Sequence, residues 1–462
     1  LSDALIEKTK KSTNQPINQS PHMSQDNLQR QLGLWPATAM VISGMIAVGI
    51  FLVPAGMAKS LGSPLLLLVI WLLMAIMALS GSLCYGELAS RYPEAGGGYV
   101  YLREAFGSQT AFLYGWMSLI VMDPGIMATL ATGMSSYVNH IFPMSPLSMK
   151  MVAIGALVVL AGINIYGVRI GAWLIVVLTI FKIGVLAIIS LLGFGLGLGD
   201  WSNFMPFVDR PDDSVPLFGA LAGGLVGAFF AFAGWWDLSK IAGEVRDPTR
   251  TLPRALILAV GIVTLTYIST SAVFMYLIPV SEVTSDETFA AQAGEVLFGR
   301  SGGIVFSAIV ILSVIGSIAG LLMMAPRVYF AMARDKVFLN FAGAIHPKFG
   351  TPYRAIAIQG GLAGLLVMLG TFGQILNYFI FVAVLFVALT VIGVFVIRRK
   401  ETDPPPYQMP LYPVTPVIFL ILALILLFLL FGNSPTQALL GIGVVSLGIP
   451  VYHLVFRKNI DP

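Results

Sequence analysis

The sequence predicts an all-α integral membrane protein with twelve transmembrane helices. Three observations carry that prediction. The 462-residue chain is 57% hydrophobic and only 10% charged, with a mean hydropathy of +0.88. Apolar windows of about 18 residues or more, each able to cross ~30 Å of hydrocarbon, recur along almost its whole length. The connections between them are short, which leaves no room for a separate soluble domain.

Taken in order, residues 1–30 are rich in Ser, Asn, Gln and Lys and read as a disordered cytoplasmic tail. They lack the apolar core of a secretory signal. Twelve spans follow, at roughly 33–61, 63–88, 108–139, 147–167, 170–198, 216–242, 254–279, 301–333, 353–373, 375–398, 412–432 and 436–456. They group into 31–200 (helices one to five), 201–400 (helices six to ten) and 401–462 (two further helices and a cytoplasmic C-terminus). Pro64, Pro216, Pro253, Pro279 and Pro352 punctuate span ends, where proline is tolerated. Glu87–Phe106 is Gly-rich and amphipathic and reads as a re-entrant or interfacial piece, and Arg334–Pro352 as a short interfacial helix and loop.

Charge placement orients the chain. Of the 26 Lys and Arg residues, only Lys59, Lys150, Arg210 and Arg300 fall on the side opposite the N-terminus, and Lys182 falls within a span. The positive-inside rule then puts both termini in the cytoplasm, in a multi-pass protein of the plasma (inner) membrane. The outer loops are acidic, with Asp200, Asp209, Asp212, Asp213, Glu282, Asp286, Glu287 and Glu295.

Two spans carry unusual centres. Val41–Phe51 holds Ser43, Gly44, Ala47 and Gly49 at mid-span. A glycine costs roughly 1 kcal/mol against alanine in a helix interior, so this composition predicts a break, unless the small residues serve close packing. Broken backbone at membrane depth survives only where it is buried in protein or lines a cavity. Span six repeats the pattern, with Gly219, Gly223 and Gly227 spaced for one packing face and then Phe229 to Asp237 around Gly234. Spans one and six hold matching places in two five-span halves. The second half enters from the opposite side, so the repeat is inverted. Paired Gly-interrupted segments point to a transporter site. Ser43, Gly44, Met45, Val48, Gly49, Phe230, Ala231 and Ala233 are the candidate substrate-binding residues, with Phe230 beside the break.

A charge at mid-membrane costs at least ~2.5 kcal/mol, which marks it as functional by default. Lys182 is such a charge, placed to hold backbone carbonyls of a broken helix as a bound cation would, or to carry protons. Asp123 and Asp237 either face substrate or pair with a cation. Glu87 and Glu244, beside Arg91 and Arg246, read as local ion pairs or gate contacts, and Arg327 as structural or gating.

Enzyme chemistry is poorly supported. His22, His140, His346 and His453 are far apart, and no metal, nucleotide or nucleophile motif is present. No metal, cofactor or nucleic acid is implied, and transport has to be exchange or gradient-driven. The single cysteine, Cys84, lies in an apolar segment and excludes a disulfide framework.

A set of ordered motifs then identifies a family. They are Gly49-Ile50-Phe51 with Pro54; Gly62-Ser63-Pro64; Gly81 to Leu88; Pro93, Gly96, Gly97 and Tyr99; Asn164 with Gly167-Val168; Phe230-Ala231 with Gly234-Trp235; Glu244, Asp247-Pro248 and Leu252-Pro253; and Pro326-Arg327 with Met332-Ala333-Arg334. From about Leu32 to Lys400 the chain resembles the amino acid–polyamine–organocation superfamily, in its L-type amino-acid transporter branch. The resemblance implies a five-plus-five inverted-repeat (LeuT-like) fold with helices 1 and 6 broken, two extra C-terminal helices, and alternating access. It implies a substrate α-carboxylate on backbone N–H groups at the first break and an amino group on carbonyls at both breaks. It makes Phe230 the gating aromatic, Trp235 a nearby gating tryptophan and Lys182 the lysine that stands in for a sodium ion. Asp123 sits where relatives vary. Ala47 and Val48 replace a glycine and a serine of the family break, so backbone donors survive and a hydroxyl contact is lost.

The implied function is sodium-independent exchange of neutral L-amino acids. A cationic amino acid or polyamine carrier using Asp123 or Asp237, a Lys182-dependent proton symporter, and a non-transporting nutrient receptor are the alternatives. Heteromeric relatives carry an extracellular cysteine before span four. This chain has none, so no disulfide-linked heavy subunit is expected.

Overall fold

The computed structural model describes residues 30–208, 210, 216–283, 289–370, 372–401 and 403–457. All but one residue of the expected tail, and Asp209, Asp212, Asp213, Asp286 and Glu287 of the acidic loops, lie outside the described residues. Among the described residues the chain is helical, with a single isolated bridge between Leu32 and Val245.

The helices are α1 (Leu34–Met45), α2 (Gly49–Leu61), α3 (Pro64–Arg91), α4 (Gly98–Phe106), α5 (Ser108–Met117), α6 (Asp123–Ile141), α7 (Pro146–Tyr166), α8 (Val168–Gly195), α9 (Leu217–Phe232), α10 (Pro248–Leu277), α11 (Phe289–Phe298), α12 (Gly302–Met324), α13 (Pro326–Arg334), α14 (Tyr353–Leu369), α15 (Phe372–Lys400), α16 (Val414–Asn433) and α17 (Pro435–Ser446). Ten helices among the described residues are long and apolar enough to cross a membrane. Two shorter apolar helices, α1 and α14, accompany them. The continuous segment Ser108–Ile141 is the most enclosed, with 83% of its apolar window buried. The windows of Pro146–Tyr166 and Pro435–Phe456 are only 22% buried, which puts these helices at the periphery.

The element boundaries differ from the sequence reading where local chemistry intervenes. Span three is one rod of α5 and α6 joined by a π-helical turn at Ser118–Met122. Pro124 follows immediately, and its missing N–H removes the bond that would keep the α-helical register. Pro253 does not end a span. It lies inside α10, five residues from the start, where only one backbone bond is forfeited. Arg334–Pro352 contains one 3-10 turn, Asn340–Gly343, rather than a full interfacial helix. Helix α11 was not foreseen, because its ten residues are too short to register as a span. The spacing of Gly219, Gly223 and Gly227 does not define one packing face. Gly227 meets Val53 and Gly224 meets Ile70, while a side chain at Gly223 would meet nothing within 4 Å.

The helix ends around Glu87 and Glu244 are tied by ions, though not by sequence neighbours. Glu87 accepts two hydrogen bonds of 2.6 Å from Arg398 of α15 and one of 2.8 Å from the Met409 N–H. Arg91 pairs instead with Glu401, and Glu244 pairs at 2.7 Å with buried Arg327. The expected local pairs of Glu87 and Glu244 are thus replaced by bridges between helices. A bidentate Arg–carboxylate pair needs a facing fork, which a partner on another helix can present. Arg103 of α4 bonds Asp335 beyond α13 at 2.6 Å, and Tyr99 donates to the same carboxylate at 2.7 Å. The Gly96–Gly98 run is needed for close approach: Gly96 N–H donates to the Lys240 carbonyl at 2.9 Å, and Gly97, at φ +54°, leaves no room for a side chain against Ser239 and Lys240.

Helix α1 packs on α8 and α10, α2 runs along α9, and α12 packs on α6 and α8. The two interrupted segments therefore sit at the centre.

Candidate functional site

Both predicted breaks are present. Helix α1 ends at Met45, Ile46 leaves helical space at ψ 83°, and α2 begins at Gly49. Ala47 N–H turns back to the Met45 carbonyl at 2.9 Å. Helix α9 ends at Phe232, Ala233 is extended at ψ 157°, and Gly234 takes φ +98°, a left-handed conformation that glycine reaches without penalty. The chain continues as a 3-10 segment, Trp235–Glu244. The second break thus falls at Ala233-Gly234, and the residues beyond it do not resume an α-helix.

The breaks touch. A Cβ on Gly234 would lie 3.1 Å from the Gly44 carbonyl carbon, and one on Gly49 would lie 2.8 Å from Ala231 Cα. Their glycines serve this backbone-to-backbone approach. A narrow cavity opens beside the contact, lined by Gly44, Ala47, Gly49, Ile126, Leu130, Phe230, Ala233, Gly234, Asp237 and Leu321. In the first turn of α2 the Phe51 N–H is taken by the Val48 carbonyl at 3.1 Å, while the N–H groups ahead of it precede the first i→i−4 bond and the helix dipole adds partial positive charge there.

Lys182 is fully buried, and its ammonium grips the first break. Nζ donates to the Ile46 carbonyl at 2.6 Å, to Ser317 Oγ at 3.0 Å, and to the Ser43 carbonyl and Oγ at 3.4 Å each. Ser317 itself donates to the Ser43 carbonyl at 2.5 Å. The carbonyls that lost their helical donors are thus met by a cation and a hydroxyl.

A second clasp was not legible in the sequence. The Tyr267 hydroxyl on α10 lies 2.7 Å from the Met45 carbonyl and 2.8 Å from the Ala231 carbonyl, one on each interrupted helix. Nothing in a single sequence distinguishes this buried tyrosine from a core aromatic. A Tyr267→Phe protein is expected to lose about 1–2 kcal/mol of stability through the orphaned carbonyls, read as a lower Tm in detergent. An unchanged Tm would show that the hydroxyl does not bind the breaks together.

The acidic residues form one buried cluster. Lys240 Nζ lies 2.7 Å from Asp123 Oδ1 and 2.7 Å from Asp237 Oδ1, and all three side chains are fully buried. Asp123 Oδ2 accepts from the Tyr329 hydroxyl at 3.0 Å, and that hydroxyl also meets Gln359. Lys240, which the charge placement sets on the side of the N-terminus, is thus buried in an ion cluster.

Of the sequence-predicted residues, Gly44, Gly49, Phe230 and Ala233 line the cavity. Val48 and Ala231 are buried next to them without bordering it. Ser43 turns to Lys182, Met45 gives its carbonyl to Tyr267, and Asp123 spends both oxygens on Lys240 and Tyr329. Phe230 lies 6.5 Å from the Phe379 ring, centroid to centroid. Trp235 turns away from the cavity. It stands edge-on to Tyr85 at 5.1 Å and to Phe419 at 6.2 Å, and its ring occupies the space that a side chain at Gly81 would need. Ile126, Leu130 and Leu321 line the cavity but were missed, since apolar residues of a span carry no mark of facing inward.

Comparison with known proteins agrees with this architecture. The family model described as amino acid permease matches residues 32–447. The serine/threonine exchanger SteT of Bacillus subtilis is 31% identical over 446 residues, covering 95% of this chain and 99% of that protein. Asc-type amino acid transporter 1 of Mus musculus is 30% identical, covering 94% and 82%. Large neutral amino acids transporter small subunit 2 of Homo sapiens is 29% identical, covering 92% and 80%. With the match spanning nearly every described helix and both interrupted segments, the chain belongs to the amino acid permease family, a family of transporters within the amino acid–polyamine–organocation superfamily.

Proposed function

We propose that this protein is a sodium-independent amino-acid exchanger that works by alternating access in the plasma (inner) membrane, with both termini cytoplasmic. The observation that carries this is the meeting of two interrupted helices at Gly44 and Gly234 beside a cavity. The substrate α-carboxylate takes the open N–H groups at the start of α2, and its ammonium takes carbonyls at the two breaks. Lys182 supplies, as a fixed ammonium, the charge that would otherwise require a bound cation, which supports independence from sodium. The pairing of the breaks supports twelve crossings, with α1 and α2 counted as one and α14 as another, arranged as residues 31–200 and 201–400 in inverted repeat followed by 401–462. The chain's only cysteine is buried, 3.8 Å from Met409 Sδ, which supports function without a disulfide-linked second subunit.

Uptake of a panel of radiolabelled amino acids into liposomes in sodium-free buffer, with and without internal substrate, tests this. Internal amino acid is expected to accelerate uptake; uptake without such acceleration would reject exchange. Phe230→Ala is expected to lower exchange about fivefold, since a packed aromatic over the cavity contributes on the order of 1 kcal/mol beyond its area. Unchanged exchange would remove Phe230 from the gate.

A further inference from the structure

The Asp123–Lys240–Asp237 cluster holds two carboxylates and one ammonium, all fully buried. Its two acids are not equivalent. Asp123 has both oxygens engaged, Oδ1 by Lys240 and Oδ2 by Tyr329. Asp237 has only the Oδ1 contact with Lys240, and its Oδ2 has no hydrogen-bond partner among the described residues. Of the two carboxylates, Asp237 is the one that lines the cavity. The other buried ammonium near the breaks, Lys182, is committed to Ser43, Ile46 and Ser317. The site thus presents one carboxylate more than its lysine neutralises. An unpaired buried charge costs several kcal/mol unless a partner arrives.

We infer that Asp237 is a side-chain subsite for a basic amino acid of ornithine or lysine type, whose terminal ammonium completes the cluster as two anions and two cations. The inference rests on the exchange reading above and names its substrate class. The remaining wall suits such a ligand. Ile126, Leu130, Phe230 and Leu321 are apolar and match a methylene stem once the cavity, closed here to about 10 Å³, opens, leaving one polar group to fix its end. Asp237 sits three residues beyond Gly234, so the subsite and the α-carboxylate site belong to the same cavity. This departs from the neutral side chain that the family resemblance implies.

L-ornithine and L-norleucine make the test sharp, because they differ chiefly in a terminal ammonium against a methyl. In liposomes loaded with unlabelled amino acid, ornithine is expected to half-saturate exchange at a concentration at least about tenfold below norleucine, the factor that a charge-assisted hydrogen bond supplies. In Asp237→Asn that ratio is expected to collapse toward one. A preference for norleucine or L-serine in the wild-type protein, or a ratio unchanged in Asp237→Asn, overturns the subsite. Should the variant fail to fold, thermal stabilisation of the wild-type chain in detergent decides. Greater stabilisation by ornithine supports the subsite, and equal or greater stabilisation by norleucine or serine overturns it. Absence of accelerated uptake with every amino acid tried rejects exchange itself, and the stabilisation comparison still judges the subsite separately.

Discussion

Lys182→Ala is expected to abolish exchange, lowering it by at least about a hundredfold. The Nζ atom makes four contacts of 2.6–3.4 Å to the Ser43 carbonyl and hydroxyl, the Ile46 carbonyl and Ser317. Hydrogen bonds from a charged donor contribute about 1.5–3 kcal/mol each, and orphaned buried acceptors add a penalty. Truncation removes the donor while Ser43 and Ile46 stay buried, so the turn at the end of α1 loses its fixed shape. Lys182→Arg is expected to fail as well, because a planar guanidinium does not fit a cage built around a compact ammonium. Counterflow in proteoliposomes, normalised to reconstituted protein, reads both variants. Normal exchange by Lys182→Ala would show that the ammonium does not hold the break, and normal exchange by Lys182→Arg that charge alone suffices.

Gly234→Val is expected to be as damaging, for steric rather than electrostatic reasons. Gly234 has φ +98°, where an L-residue pays roughly 1–2 kcal/mol and a β-branched one more. A Cβ there would also stand 3.1 Å from the Gly44 carbonyl carbon and 3.2 Å from its oxygen. Neither backbone can yield without separating the breaks. Exchange is expected to be lost and Tm to fall by several degrees, as a loss of a few kcal/mol implies. Gly223→Ala is the control, because nothing lies within 4 Å of the added carbon and alanine favours the helix by about 1 kcal/mol. Equal tolerance of the two substitutions would show that the Gly44–Gly234 contact is not required.

Much of the site was legible in the sequence. Gly44, Gly49 and Gly234 stood out because glycine at mid-span is costly without a reason. Lys182 stood out because a mid-span charge is costlier still. The 3-10 continuation after Gly234 did not, since Trp235–Ile241 contains no proline or glycine that would mark the end of an α-helix. The fate of the acids did not either: Asp123 and Asp237 are 114 residues apart in number, and only the fold puts Lys240 between them. Trp235 shows the limit of resemblance alone. Its place in a motif suggested a gate, yet packing against Tyr85, Trp236 and Phe419 directs its ring away from the cavity.

The sequence by itself determined that the chain is a membrane protein and which two of its apolar segments are interrupted. Those properties follow from local costs, of burying charge and of placing glycine in a helix, which each segment carries wherever it packs. Only the tertiary structure decided which partners meet: Lys182 with the carbonyls of Ser43 and Ile46, Tyr267 with both breaks, and Lys240 with two aspartates while one carboxylate oxygen stays open. A buried polar group must find a partner, but its sequence neighbours do not say which one, because the choice is made by helices that are distant along the chain and adjacent in space.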